Sequence, residues 1–191
     1  MRRAWVPRGK LQLVTCLAVL ATAVAGAALA ASAPRNPLVL VLRPADFPAK
    51  ADPVDAGPMP ASFARKLKGI RAVGRGAQYF ASIPFGPERS QTVYGLVVTT
   101  PSIAQAKKVF AWQRRTQLKP TRRTSPLRLP RFGDQQVALT STETDSGSVL
   151  VRKAATVWRL DVAADGELSL PPARVRDELA KYASKQRAKL G

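Results

Sequence analysis

From Leu11 to Pro34 the chain carries no charge, and this run follows a basic start, MRRAWVPRGK. A short cationic segment ahead of a long apolar one is the pattern of an export signal, and it predicts a cytoplasmic N-terminus and an external C-terminus. Everything downstream must then fold outside the cytoplasm. Ala28 and Ala30, on either side of Leu29, place small residues where a signal peptidase reads them, so cleavage before Ala31 is the expected outcome. Retention as an uncleaved membrane anchor is the rival outcome, because about 20 apolar residues span a bilayer.

The single cysteine, Cys16, falls inside this leader, after Leu13, Val14 and Thr15. A lipidation site needs a small residue directly before the cysteine and an apolar stretch ahead of it; Thr15 is a poor match, and the apolar run mostly follows. Without the leader the chain has no thiol and no disulfide, so its stability must come from packing. The 46% apolar content can fill one core, and with only 6% aromatic residues branched aliphatics and alanine must do most of the filling. Residues 1–30 are thus read as signal peptide or anchor, 31–60 as a linker interrupted by the apolar run Leu38 to Leu42, either a short buried strand or a piece of extended chain packed on the domain, and 61–191 as a single domain. The linker reading rests on seven of the sixteen prolines lying between Pro34 and Pro60.

Within the domain, Phe63, Leu67 and Ile70 fall on one helical face. Strands are expected over residues 78–83 and 92–99. A helix follows, with Thr100 as N-cap, Pro101 at its first position, and Ile103, Ala106, Val109 and Phe110 as its apolar stripe. It runs to about Leu118, and Pro120 stops it. Three more strands are expected over 135–142, 148–153 and 156–162. In the last, Trp158, Leu160 and Val162 alternate with Arg159 and Asp161, which predicts one buried face and one wet face. Pro172 opens a final helix lined by Val175, Leu179, Tyr182 and Ala183. This order gives an α+β fold, an antiparallel sheet with helices packed on one face.

The run from Leu129 through Pro130, Arg131, Phe132, Gly133, Asp134, Gln135, Gln136 and Val137 to Ala138, followed by Val149–Lys153 and Val157–Val162, resembles secreted or lipid-anchored envelope proteins of actinobacteria. The layout over residues 79–190 is also distantly similar to the extracellular sensor domains of mycobacterial-type serine/threonine kinases. Two departures stand out: Ala154 and Ala155 replace a glycine-containing hairpin turn, and the paired cysteines of the kinase sensors are absent. The resemblance implies location and fold, and no site residue carries over from it.

Catalytic chemistry finds little to work with. The chain has no histidine, which excludes imidazole triads and dyads and removes the commonest zinc ligand. Neither Ser-x-x-Lys nor Gly-x-Ser-x-Gly occurs. Gly74, Arg75 and Gly76 begin like a phosphate loop, but Tyr79 stands where the last glycine belongs. Paired carboxylates can hydrolyse glycosides without histidine, and Asp46, Asp52, Asp55, Asp134, Glu143, Asp145, Asp161 and Asp165 are the candidates. Most lie beside Gly, Pro or Ser, where turn formation accounts for them. Glu143 and Asp145 lack the spacing of a calcium loop. No cofactor or metal is expected; a hydrolase using two acids is the alternative to a noncatalytic protein.

Charge is the remaining signal. Loss of Arg2, Arg3, Arg8 and Lys10 with the leader lowers the basic residues from 31 to 27 against 12 acids, leaving about +15. No acid occurs between Glu88 and Asp134, a stretch that holds Lys107, Lys108, Arg114, Arg115, Lys119, Arg122, Arg123, Arg128 and Arg131. At 100° per residue Lys108, Trp112 and Arg115 share a helix face. An indole among cations, with Arg114, Arg122 and Arg123 close by, can grip an anion; alternatively Trp112 packs under a neighbouring loop while the cations are merely solvated. Nucleic acid is the usual partner of so basic a chain, but the export signal points to anionic envelope polymers or phospholipid headgroups instead. The membrane itself is a further partner if the leader is retained.

Overall fold

The computed structural model describes residues 35–52, 55–59, 65–67, 76–84, 90–141, 143–165 and 171–191. The leader, its cleavage point, Phe63 and Ile70 lie outside these residues. Seven strands form one sheet: β1 (Asp55–Pro58), β2 (Gly76–Pro84), β3 (Ser90–Thr99), β4 (Thr124–Pro126), β5 (Gln135–Ser141), β6 (Ser146–Lys153) and β7 (Thr156–Asp165). Their spatial order is β1-β2-β3-β7-β6-β5-β4, and every neighbouring pair is antiparallel. Helices α1 (Pro37–Leu40), α2 (Ile103–Thr116) and α3 (Pro172–Leu190) complete the α+β architecture, and residues 65–67 are also helical. Two meanders, β1 to β3 and β4 to β7, are joined by the long β3–β7 ladder, which runs from Ser90 opposite Asp165 to Thr99 opposite Thr156.

The two long helices take opposite faces of this sheet, where a single shared face was expected. On one face, Leu179, Tyr182 and Ala183 of α3 pack with Tyr79, Trp158, Leu160 and Val162. On the other, Ala106, Val109 and Phe110 of α2 pack with Leu96, Val98, Leu150 and Val157, joined by Leu67. The alternation in β7 suggested a wet face, but its neighbours are apolar at consecutive positions. Leu96, Val97 and Val98 of β3, and Val149, Leu150 and Val151 of β6, are all buried. Strands apolar on both sides need cover on both, at about 1.5–3 kcal/mol for each large side chain buried.

The start of α2 also differs from expectation. Ser102 is its N-cap, with its hydroxyl accepting from the Gln105 amide at 3.3 Å. Thr100 lies earlier and donates its hydroxyl toward Ser102 O and Ala155 O, both at 2.8 Å, which ties the helix entry to the β6–β7 turn. Ile103, the first helical residue, is 51% exposed and stands outside the stripe assigned to it.

The proline-rich stretch is docked over its described part, and the apolar run expected there as a buried strand or packed extended chain is helical up to Leu40. Asn36 caps α1 by accepting from Leu38 N at 3.1 Å, and Pro37 occupies the first helical position. Leu40, Val41, Leu42 and Phe47 are buried in the core. Helix α3 holds the segment through Gln186 Nε2, which donates to Leu40 O at 2.7 Å, and through Lys189, paired with Asp46 at 2.7 Å. Asp55–Pro58 then supplies the edge strand, the one kind of strand that tolerates proline. Proline content reports on backbone shape; the burial of Leu40–Leu42 was decided by what α3 offers them.

Candidate functional site

Helix α2 buries Ala106, Val109, Phe110 and Gln113 against the sheet. Around the helix at 100° per residue, Trp112 borders this buried face on one side, while Lys107, Ala111 and Arg114 border it on the other. Trp112 is half-buried and packs against the α2-side core cluster, as Met59, Tyr94 and Val137 do. Lys108 and Arg115 point away from the sheet, both exposed. The six residues singled out from the sequence, Lys108, Trp112, Arg114, Arg115, Arg122 and Arg123, are therefore divided. The helical angle of Trp112 was legible, but its large apolar ring leans onto apolar neighbours whereas a lysine stem reaches for water.

Arg114 and Arg115 open onto a groove between α2 and the following loop. It has a volume of about 670 Å³ and is lined by Lys107, Arg114, Arg115 and Lys119 over Phe110, Ala111 and Pro120. A second groove, about 700 Å³, rounds the edge of β5 and is lined by Arg114, Arg128, Arg131 and Asp134 with Leu127, Leu129 and Ala138. Phe110, Arg114 and Gln135 belong to both, so the two adjoin. Arg122 and Arg123 sit in a turn closed by Thr121 and Thr124, where Thr124 Oγ1 accepts from Thr121 N at 2.8 Å. They line neither groove, and Arg123 pairs with Glu143 at 2.9 Å.

Six cations thus surround the adjoining grooves: Lys107, Arg114, Arg115, Lys119, Arg128 and Arg131. The ion pairs Arg123–Glu143, Arg152–Asp134, Arg159–Asp161, Arg176–Asp177, Lys181–Glu178 and Lys189–Asp46 leave all six out. Arg131 is held by backbone alone, donating from Nε to Gly133 O at 3.1 Å and from Nη2 to Asp134 O at 3.3 Å. Like charges gathered around a concave, partly apolar surface focus a positive potential into it. Lys107, Lys119, Arg128 and Arg131 all belong to the acid-free stretch noted in the sequence. Only the path of the loop shows that these four, and not Arg122 and Arg123, surround the grooves.

Asp134 is the one acid in the lining, and it is turned to structural use. Its Oδ2 accepts from Arg152 Nη1 and from Ala154 N, both at 2.9 Å. Arg152 is 6% exposed and also donates to Gln135 Oε1 at 2.6 Å and to Ala154 O at 3.0 Å. Ala154 has a φ of 48°, the left-handed conformation that normally recruits glycine to a two-residue hairpin turn. A Cβ on Gly133 would come within 2.5 Å of Val151 Cγ1 and 2.6 Å of Arg152 O. The Gly-Asp pair before β5 therefore permits a close approach and then braces the β6–β7 turn.

The other candidate acids are dispersed. Asp46 accepts from Arg43 N at 2.6 Å and pairs with Lys189, and Asp161 pairs with Arg159 at 2.9 Å on β7. With Glu143 on Arg123 and Asp134 on Arg152, each of these four carboxylates answers a cation of its own. Among the described residues no group of three or more His, Cys, Asp and Glu side chains converges on a common point. The side chains of Asp55 and Asp165 lie outside the described set.

No protein-family model matches the chain, and no curated protein matches it. Among solved structures, the extracellular domain of PknH from Mycobacterium tuberculosis is 10% identical, with 80% of this chain and 98% of that chain covered and a TM-score of 0.44. A putative uncharacterized protein from Mycobacterium smegmatis is 10% identical, with 79% and 96% covered and a TM-score of 0.42. The distant resemblance to extracellular domains of mycobacterial-type kinases, read first from residues 79–190, is met again in these structures at the same distant level. Neither likeness bears on the grooves.

Proposed function

We propose that this chain is an exported, noncatalytic envelope protein whose adjoining basic grooves bind an anionic envelope component, presenting phosphate or carboxylate groups as envelope polymers and phospholipid headgroups do. The reading rests on one observation: six cations around two adjoining grooves with none of the described carboxylates paired to them. Arginine supplies four of the six, and its planar fork matches the oxygen pairs of phosphate and carboxylate. The apolar leader behind four cations supports the extracytoplasmic setting. The N-terminal residue of the protein recovered from its host distinguishes release from anchoring.

Binding to phosphatidylglycerol vesicles and to a glycerol-phosphate polymer tests the proposal. Changing Lys107, Arg114, Lys119 and Arg128 together to glutamine should weaken binding by roughly a hundredfold or more, at about 1 kcal/mol for each cation near an anionic surface. Neutralising Lys50, Arg65, Lys66 and Arg176 removes the same charge elsewhere and should have a far smaller effect. Trp112→Leu should leave affinity unchanged, since the indole lines neither groove. Equal loss from both charge sets would mean that net charge alone is responsible and would defeat the assignment of the grooves.

A further inference from the structure

The adjoining grooves offer more than charge. Leu127 and Leu129 pack on the core yet stay half-exposed, and they line the same space as Arg114, Arg128 and Ala138. On the α2 side, Phe110 and Ala111 form the floor between Lys107 and Arg114. A bare phosphate or a polar polymer gains nothing from such surface, which remains wet when either of them binds. Each groove, at about 670 or 700 Å³, falls singly within the roughly 300–1,000 Å³ of sites that take one small molecule.

Resting on the reading of these grooves as the anion site, we infer that the ligand is a single phosphate-bearing lipid, bound as one molecule with its head at Arg114 and its hydrocarbon chain along Leu127 and Leu129. Arg114 lies where the two grooves meet, so a head held there has apolar surface on either side of it. Lys107 and Lys119 approach the head from α2 and the following loop, and Arg128 from the β5 edge. A polymer without a chain would use the cations and ignore the leucines. A bilayer surface would use exposed cations anywhere and would not need a groove.

A series of n-alkyl phosphates from butyl to decyl, each below its micelle concentration, tests the inference on the full chain by calorimetric titration. The part of the binding removed by Arg114→Gln with Arg128→Gln counts as groove binding, which separates it from partition into the apolar leader. Groove binding should tighten by about two- to fourfold per added methylene until the groove is filled. Leu127→Ser should flatten that dependence while leaving affinity for inorganic phosphate unchanged. Groove binding that is flat with chain length, or equally strong for a glycerol-phosphate polymer, overturns the lipid inference and keeps the anion reading. Binding to anionic vesicles with none to monomeric alkyl phosphates overturns it as well. If the arginine pair removes no binding of any of these probes, both readings fall.

Discussion

The ring of Tyr79 lies across Gly95, its partner in the β2–β3 ladder, so closely that a Cβ on Gly95 would sit 1.8 Å from the ring's Cζ. Tyr79 is 1% exposed, and its ring contacts Phe47 at 6.1 Å between centroids. A glycine inside a strand weakens the strand by itself; here it clears the space that lets an aromatic side chain fill the core beneath α3.

Gly95→Ala should therefore destabilise the protein by about 1–3 kcal/mol, the usual cost of forcing extra volume into a packed core. The same change made on a Tyr79→Leu background should cost clearly less. Urea unfolding of the four members of the cycle measures the difference. Additive effects would mean that the ring swings aside freely.

Alkaline pH should unfold the protein through its tyrosines. Burial pushes the Tyr79 phenol well above its ordinary value, with Asp161 and Asp46 adding to the effect, and burial also raises Tyr94 and Tyr182. Above about pH 10 the unfolded chain releases phenolic protons that the folded state keeps. The stability from this source is whole below that pH and is lost as pH rises through the folded values. Tyr79→Phe should lessen the loss. Because the Tyr79 hydroxyl is buried with no hydrogen-bond partner among the described residues, the variant should also be as stable as the parent at neutral pH, or more stable by up to about 1 kcal/mol. Melting temperatures between pH 7 and 11 check both expectations.

The β6–β7 turn should respond oppositely to two changes. Ala154→Gly relieves a left-handed alanine and should add about 0.5–1 kcal/mol, a rise of roughly 1–4 °C in Tm for a chain of this size. Asp134→Ala takes the carboxylate from Arg152 and Ala154 N and should cost about 1–3 kcal/mol, with water partly replacing a side chain that is 51% exposed. A neutral Asp134→Ala would show that Gln135 and the Ala154 carbonyl satisfy Arg152 by themselves.

Local chemistry made much of this molecule readable in advance. The period-two run through Trp158, Leu160 and Val162 marked a strand, and Pro172 with Val175, Leu179, Tyr182 and Ala183 marked α3, because each pattern answers only to its own backbone. The acid-free stretch containing Lys107 to Arg131 marked the half of the chain that carries the basic surface. Other features have no local signature. Ser102 and Thr100 are both capable caps two residues apart, and the choice between them depended on Ala155, 55 residues away from Thr100.

What the order of residues determined by itself is the five long strands, the two long helices, the antiparallel α+β class and the excess of positive charge, since each follows from neighbours within a few positions; the short α1, β1 and β4 carried no such signal. What only the tertiary structure decided is which surface each element meets. Covering both faces of β3 and β6 separated α2 from α3 and packed Trp112 against the α2-side core. The same folding bent the loop after α2 so that Lys119, Arg128 and Arg131 surround two adjoining grooves with Lys107, Arg114 and Arg115, while Arg122 and Arg123 stand outside them. The physical reason is that burial and cavity shape depend on side chains far apart in the chain, which no window of sequence contains.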